Sequence, residues 1–251
     1  MTTVLAALAA DAAAAPVLSA AVAISGLFDA TVTALHVREN GTNLPRELAN
    51  AAGVELDERD GSPIAQITAA CQSPDVAAVV LGARGIHGGA QPAGQTALEV
   101  ITQVSKPVLV VPPHAQPRQS LARILAPLDG TTESAHALRD IITLAHAHRL
   151  EILILHVYSP DNVPAFANHT PHATHARERE FLSRNVAAPH DRVTLLHYLG
   201  VAADEIAVVS RETKADLIAL GWRQNLTRGS AHVVSETLAR SDIPVLLLPL
   251  A

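Results

Sequence analysis

The chain has 251 residues and a formal net charge of −6, and it is 49% hydrophobic but only 2% aromatic. This length suits two compact domains better than one, and the apolar content excludes a chain that is disordered throughout. With no basic stripe to neutralise a phosphate backbone, nucleic acid is not an expected partner. The single cysteine, Cys71, cannot form an intramolecular disulfide, so we expect a buried thiol in a cytoplasmic protein.

The uncharged segment 12–28 raises the question of a signal peptide or membrane span. No Lys or Arg precedes it, as a signal peptide would require, and it is too short and too rich in alanine for a spanning helix. We therefore expect a helix packed on a sheet, and no membrane partner.

Internal repeats define the organisation of the chain. Four apolar segments recur in the same order: 4–8 as 124–128, 33–37 as 153–157, 79–85 as 218–224, and 106–112 as 243–249. The growing offset places a longer insertion in the second copy, between 158 and 192. A proline-containing stretch separates the copies. We predict two tandem domains, 1–113 and 121–251, joined by a linker at 114–120.

In each copy, short apolar runs alternate with segments of helical period, which is typical of βαβ units and a parallel sheet. In the first copy the strands are predicted at 3–8, 31–37, 54–58, 77–81 and 107–112. Its helices are predicted near 12–26, 63–72 and 95–104, with a short one within 44–52. In the second copy the strands are predicted at 123–128, 151–157, 192–198, 216–220 and 244–249. Its helices are predicted near 131–148, 174–188, 202–213 and 234–241. The predicted fold is α/β, with two doubly wound domains that each contain a five-stranded parallel sheet.

A glycine-rich stretch follows the fourth strand of the first copy. It contains Gly82 and Gly85, which allow a positive φ and close backbone approach, and Gly94 before the last helix. Thr96 and Glu99 match a capping box. Ligands of doubly wound sheets bind beyond the carboxyl ends of the strands. The residues alone leave two interpretations open, an anion site at a helix start or a surface loop before a well-capped helix.

These motifs resemble the universal stress protein family, in its tandem form, over nearly the whole chain. The loop G-x2-G-x9-G-[ST] corresponds to Gly82, Gly85 and Gly94, and 106–111 gives the last strand. The spacer has eight residues instead of nine, and Gln95 followed by Thr96 stands where Ser or Thr is usual. The resemblance implies a fold like that of the adenine nucleotide alpha-hydrolases.

In nucleotide-binding members an Asp after the first strand meets the adenosine, a Val after the second strand lines the pocket, and the glycine loop holds the phosphates. The corresponding candidates here are Val37, Gly82, Gly85, Gly94, Gln95 and Thr96 in the first copy, and Pro127, Asp129, Gly130, Val157, Gly221, Gly229 and Ser230 in the second. The first copy has Ala7 and Ala9 in place of Pro127 and Asp129, with Asp11 nearby. The second has Gln224 in place of the second glycine.

The resemblance implies a non-enzymatic stress-response regulator with a pocket for ATP, with magnesium. Because neither copy has every motif residue, binding is expected in one copy only. The alternative is a ligand-free scaffold, which would fill the space beside Gly82 or Asp129 with apolar side chains. Slow nucleotide hydrolysis has less support, since no water-activating base is evident. In relatives the last strands associate, so strands 107–112 and 244–249 are expected to form a pseudo-dimer, and two chains a homodimer.

Several other residues have two interpretations. His169, His172 and His175 suggest either a metal site or a solvated loop, and we favour the loop because Pro171 should interrupt a helix there. His36 and His156 lie in strands and are expected to be core histidines with a bonded ring nitrogen. Trp222 could stack on a base or pack over the sheet.

Overall fold

The structure is a computed structural model that describes residues 1–38, 43–83, 93–116, 119–159, 171–186, 189–225 and 232–250. The first half contains β1 (Thr3–Ala7), α1 (Ala14–Ser25), β2 (Thr31–Val37), α2 (Leu44–Ala52), β3 (Glu55–Arg59), α3 (Pro63–Cys71), β4 (Val76–Gly82), α4 (Gln95–Gln103) and β5 (Val108–Val111). The second half contains β6 (Arg123–Pro127), α5 (Thr132–Ala147), β7 (Glu151–Tyr158), α6 (Pro171–Asn185), β8 (Val193–Leu199), α7 (Ala202–Glu212), β9 (Leu217–Trp222), α8 (His232–Arg240) and β10 (Val245–Pro249).

The strands form one ten-stranded sheet in the order β3-β2-β1-β4-β5-β10-β9-β6-β7-β8. Within each half all pairings are parallel. The two halves meet through antiparallel β5 and β10, where Leu246 is opposite Leu109. Because this seam is antiparallel, the carboxyl ends of the two sets of strands point in opposite directions.

Two hydrophobic layers cover the sheet, one on each face. Alternate strand residues divide between them: Val4 and Ala6 belong to the layer with α1, α2, α5 and α6, whereas Leu5 belongs to the layer with α3, α4, α7 and α8. The continuous apolar strands predicted from the sequence are therefore buried on both faces. The predicted α/β class and the predicted order of strands and helices are confirmed.

The long insertion of the second half contains α6, which corresponds to the shorter α2 of the first. The prediction that Pro171 interrupts a helix was wrong, because Pro171 is the first residue of α6. Proline is tolerated at this position since the first backbone N–H groups of a helix have no intrahelical partner. Phe181 of α6 packs against His156 of β7, with ring centroids 4.9 Å apart.

The segment questioned as a membrane span forms α1, which packs on the sheet through Val17, Leu18 and Ile24. No helix in the described ranges is long and apolar enough to cross a membrane.

Cys71 ends α3 and is buried, as expected. Burial raises the pKa of its thiol to about 11, with Lys106 acting in the opposite direction. At pH 8 we expect alkylation by iodoacetamide to be about two orders of magnitude slower in the native protein than in the chain unfolded in guanidinium, because the thiolate is the reactive form. Mass spectrometry of quenched samples measures both rates. Equal rates would show instead that the thiol is accessible and ionised.

Candidate functional site

Two cavities lie at equivalent places in the two halves, beyond the carboxyl ends of the strands. The first has a volume of about 350 Å³ and is bordered by the ends of β1, β2 and β4. The second, of about 330 Å³, is bordered by the ends of β6, β7 and β9. In each half the strand order reverses between the first and fourth strands, which is where doubly wound sheets bind ligands.

The first cavity has an apolar floor and a mostly neutral rim. Leu35, Val37 and Leu81 form part of the floor. The rim includes these residues: Ala7, Ala9, Asp11, Gly82, Gly94, Gln95 and Thr96. All described candidates of this half therefore line one cavity.

The second cavity has a similar floor, with Leu155, Val157 and Leu220, but its rim carries more charge. The charged and polar rim residues are Asp129, Thr131, Glu133, Ser134, Arg223 and His232. Pro127 and Gly221 also line this cavity, whereas Gly130 does not. The candidates Gly85, Gly229 and Ser230 lie outside the described residues.

Asp129 is held at the start of α5. Its Oδ1 accepts hydrogen bonds from the backbone N–H of Thr131 at 2.9 Å, from Thr131 Oγ1 at 2.7 Å, and from Ser134 Oγ. Burial alone would raise the pKa of this carboxyl, but the bonds from Ser134 and Thr131 outweigh it and the pKa is lowered. Asp129 is therefore an ionised acceptor, and these three bonds leave Oδ2 for a ligand.

Gly130 serves the turn that places Asp129. Its φ of 84° lies in the left-handed region that favours glycine. Thr131 follows as the N-cap of α5 and accepts the backbone N–H of Ser134. The P-x-D-G pattern thus places the carboxylate of Asp129 at the cavity, just before the capped start of α5.

The same histidine bond fixes the turn after the first strand in both halves. Nδ1 of His36 donates to the carbonyl of Leu8 at 2.9 Å, and Nδ1 of His156 donates to the carbonyl of Leu128 at 2.7 Å. The predicted ring-nitrogen bond is confirmed for both histidines, and His36 is buried at 3% exposed, but His156 is only half-buried.

The first half lacks a carboxylate at the position of Asp129, where Ala9 stands. Asp11 lines the cavity two residues further on, and its Oδ1 accepts the backbone N–H of Ala13 at 2.8 Å. The acidic group of this half is thus shifted along the rim.

The capping box expected after the glycine-rich stretch was wrong, and Gly82 does not use the positive φ that glycine allows. Gly82 is the last residue of β4, paired with Val111, and is not among the described residues with positive φ. The capping box is absent because Gly94 is the N-cap, which places Thr96 inside α4, and Glu99 accepts instead from Gln95 at 2.8 Å. The first turn of α4 still lines the cavity.

Gly221 is required for packing against α5. A Cβ atom built at this position would lie 2.9 Å from Cβ of Ala137, closer than real side chains approach. The absence of a side chain at Gly221 therefore allows α5 to pack closely against β9, whether or not a ligand is bound. Trp222, the next residue, packs in the core and is 3% exposed, although part of it borders the cavity.

Arg223, Thr131 and Ser134 are site residues that the sequence reasoning missed. The repeat contained a signal for Arg223, because the offset that pairs Gly82 with Gly221 also pairs Arg84 with Arg223. Arg84 lies outside the described residues. An exposed guanidinium at a rim is a suitable partner for a phosphate.

The part of the chain that the structure describes contains no group of three or more His, Cys, Asp or Glu side chains that could hold a metal ion. His172 and His175 lie in α6 and His169 lies outside the described residues. Their suggested metal site therefore stays untested.

Comparisons with known proteins agree with this architecture. The universal stress protein family matches residues 43–112 and 121–249. A functionally unknown protein from Pseudomonas aeruginosa has a TM-score of 0.69 at 15% identity, over 100% of this chain and 93% of its own. A universal stress protein from Archaeoglobus fulgidus has a TM-score of 0.68 at 18% identity, over 99% and 96%. At these identities the structures show the fold alone, and no curated protein matches the chain.

The family match covers more than half of the chain and occurs as two tandem stretches, one in each half of the sheet. The chain therefore belongs to the universal stress protein family.

Proposed function

We propose that the protein is a non-enzymatic regulator that binds an adenine nucleotide in at least one of its two cavities. The observation that carries the proposal is that both cavities are open, at about 350 and 330 Å³, where a ligand-free scaffold would have filled them. These volumes lie at the lower end of the range for small-molecule sites, and an apolar floor with a few polar rim groups is typical of such sites.

The rims offer two different sets of contacts. In the second cavity the ionised Asp129 is placed to accept hydrogen bonds from the hydroxyl groups of a ribose, and Arg223 can pair with a phosphate. In the first cavity the exposed N–H groups at the start of α4, next to Thr96, suit an anion. A magnesium ion would accompany ATP through its phosphates.

The absence of catalysis is also part of the proposal. A general base needs a pKa near the working pH, and the lowered pKa of Asp129 makes it a weak base. In this proposal, the presence or absence of bound nucleotide changes the contacts that the protein makes with its protein partners. We further propose that the β5–β10 seam is the pseudo-dimer contact and that two chains can associate as a homodimer.

Isothermal titration with ATP and magnesium tests the proposal, after the purified protein is checked for carried nucleotide. We expect Asp129→Ala to weaken binding in the second cavity by about one to two orders of magnitude, the worth of a charge-assisted hydrogen bond. Asp129→Asn is the matched control for the turn, because it keeps an acceptor for Thr131 while it removes the charge and replaces the ligand-facing oxygen by an NH2 donor.

Gly94→Asp tests the first cavity by placing a negative charge at the start of α4. Gly94 has φ −66° and ψ 158°, which Asp adopts readily, and Asp is a good N-cap, so the fold should be retained. Loss of binding in one variant alone assigns the site to that cavity. A wild-type protein that neither binds nor carries nucleotide would contradict the proposal and favour the ligand-free scaffold.

A further inference from the structure

Helix α4 ends without the usual capping devices. Its C-cap residue, Val104, is extended at φ −96° and ψ 122°, and its last turn contains no basic residue. Val104 is 1% exposed and Ile101 is fully buried, so water has little access to this end. The last carbonyls of a helix have no intrahelical donor and need one from elsewhere.

Gln224 supplies that donor from the other half of the chain. Its Nε2 lies 2.7 Å from the carbonyl oxygen of Val104 and 3.5 Å from that of Ile101. Gln224 stands where the family motif has its second loop glycine, and its φ of 52° shows that it keeps the left-handed backbone that glycine favours. A non-glycine residue rarely adopts this conformation, and here its side chain caps a helix.

The antiparallel seam explains why this contact is possible. The carboxyl end of β9 lies beside the opposite end of the first-half strands, where α4 terminates. Gln224 directly follows Trp222 and Arg223, which border the second cavity, and the other end of α4, at Gly94 and Ala97, borders the first. A single helix therefore runs between the rims of the two cavities.

We infer that Gln224 couples the two cavities, because it ties the rim of the second to the stability of α4 and hence to the rim of the first. A helix of nine residues is marginal alone and forms cooperatively, so loss of a cap at one end should fray the other. The repeat makes this contact once, since the equivalent residue of the first half is Gly85, which has no side chain. Transmission of nucleotide occupancy along this route rests on the proposed function.

Amide hydrogen exchange of the ligand-free protein tests the coupling, so failure to bind nucleotide does not affect the result. The amide of Val104 bonds to Val100 at 3.0 Å and reports the last turn of α4, and the amide of Leu98 bonds to Gly94 at 3.0 Å and reports the first. In Gln224→Ala we expect both to exchange about 5- to 10-fold faster, as for the loss of one hydrogen bond. The amide of Leu8, bonded to Leu35, should be unchanged and shows that the fold is intact.

Two further substitutions separate the side chain from the backbone. Gln224→Asn keeps an amide and suits the left-handed conformation, but its side chain is one methylene too short to reach Val104. Gln224→Gly relieves the backbone but has no side chain to cap the helix. Both substitutions should therefore also accelerate hydrogen exchange at the Leu98 amide. Gln103→Ala changes an exposed residue in the last turn of α4 and should not accelerate hydrogen exchange at either Val104 or Leu98. Acceleration confined to Val104, no acceleration at all, or acceleration in Gln224→Ala but not in Gln224→Gly would overturn the inference.

Discussion

Replacing Leu246 with Ala is expected to lower the free energy of unfolding by about 2–5 kcal/mol. Leu246 is fully buried in β10, opposite Leu109 of β5 and beside Ala219 of β9. Truncation removes buried methyl groups at the seam between the halves, and the sheet on either side cannot collapse into the space. Urea unfolding followed by the fluorescence of Trp222, the one tryptophan of the chain, measures the change.

Leu199→Ala is the matched control for this substitution. It removes the same atoms from a side chain that is 57% exposed, at the end of β8. We expect a change of about 0.5 kcal/mol or less. A Leu246→Ala variant no less stable than this control would contradict the close packing of β5 against β10.

The sequence was informative about the fold because the inner strands of this sheet are largely buried on both faces, although the edge strands β3 and β8 are not. The apolar runs that predicted the strands are the strands themselves: 31–37 was predicted and Thr31–Val37 is observed. Duplication reinforced four strand assignments in each half, since the apolar segments of those strands recur. Pro171 misled because proline both starts and ends helices, and only the flanking structure decides which.

The cavity rims were predicted where the signal was local in sequence. Asp129 is held by the turn at Gly130 and by its bond to Thr131, its immediate neighbours in sequence, so a short motif was enough. The role of Gln224 was not predictable, because it depends on a carbonyl 120 residues away. Asp216 is similar: it is buried and accepts the backbone N–H groups of Ala122 at 2.7 Å and Arg123 at 2.9 Å, across the start of the second half.

Gly221 shows how a motif residue can carry two roles at once. Its place in the family pattern suggested close approach of the backbone to phosphate, but the structure gives it a contact with α5 that exists without any ligand. The two roles make different predictions. A ligand role alone would leave stability unchanged on substitution, whereas the packing role predicts a loss of stability in the ligand-free protein.

We expect Gly221→Ala to lower the free energy of unfolding of the ligand-free protein by about 1–3 kcal/mol, the usual cost of overpacking a close contact. The new methyl group would meet Cβ of Ala137 at 2.9 Å, and with Cα of Ser134 at 3.8 Å nearby, α5 would have to shift away from β9. Urea denaturation of the variant and the wild type measures the difference.

The partner substitution Ala137→Gly makes this prediction specific. On its own it should cost about 0.5–1 kcal/mol, because glycine weakens a helix interior. Combined with Gly221→Ala it removes the clashing atom, so the double variant should recover stability, with a coupling of about 0.5–3 kcal/mol in the double-mutant cycle. Simple additivity would mean that the methyl group is accommodated elsewhere, and the close approach of α5 to β9 would no longer explain the glycine. Recovery would assign the glycine to the packing that holds Asp129 and the helix start of α5 against the end of β9, so the same contact would shape the second cavity.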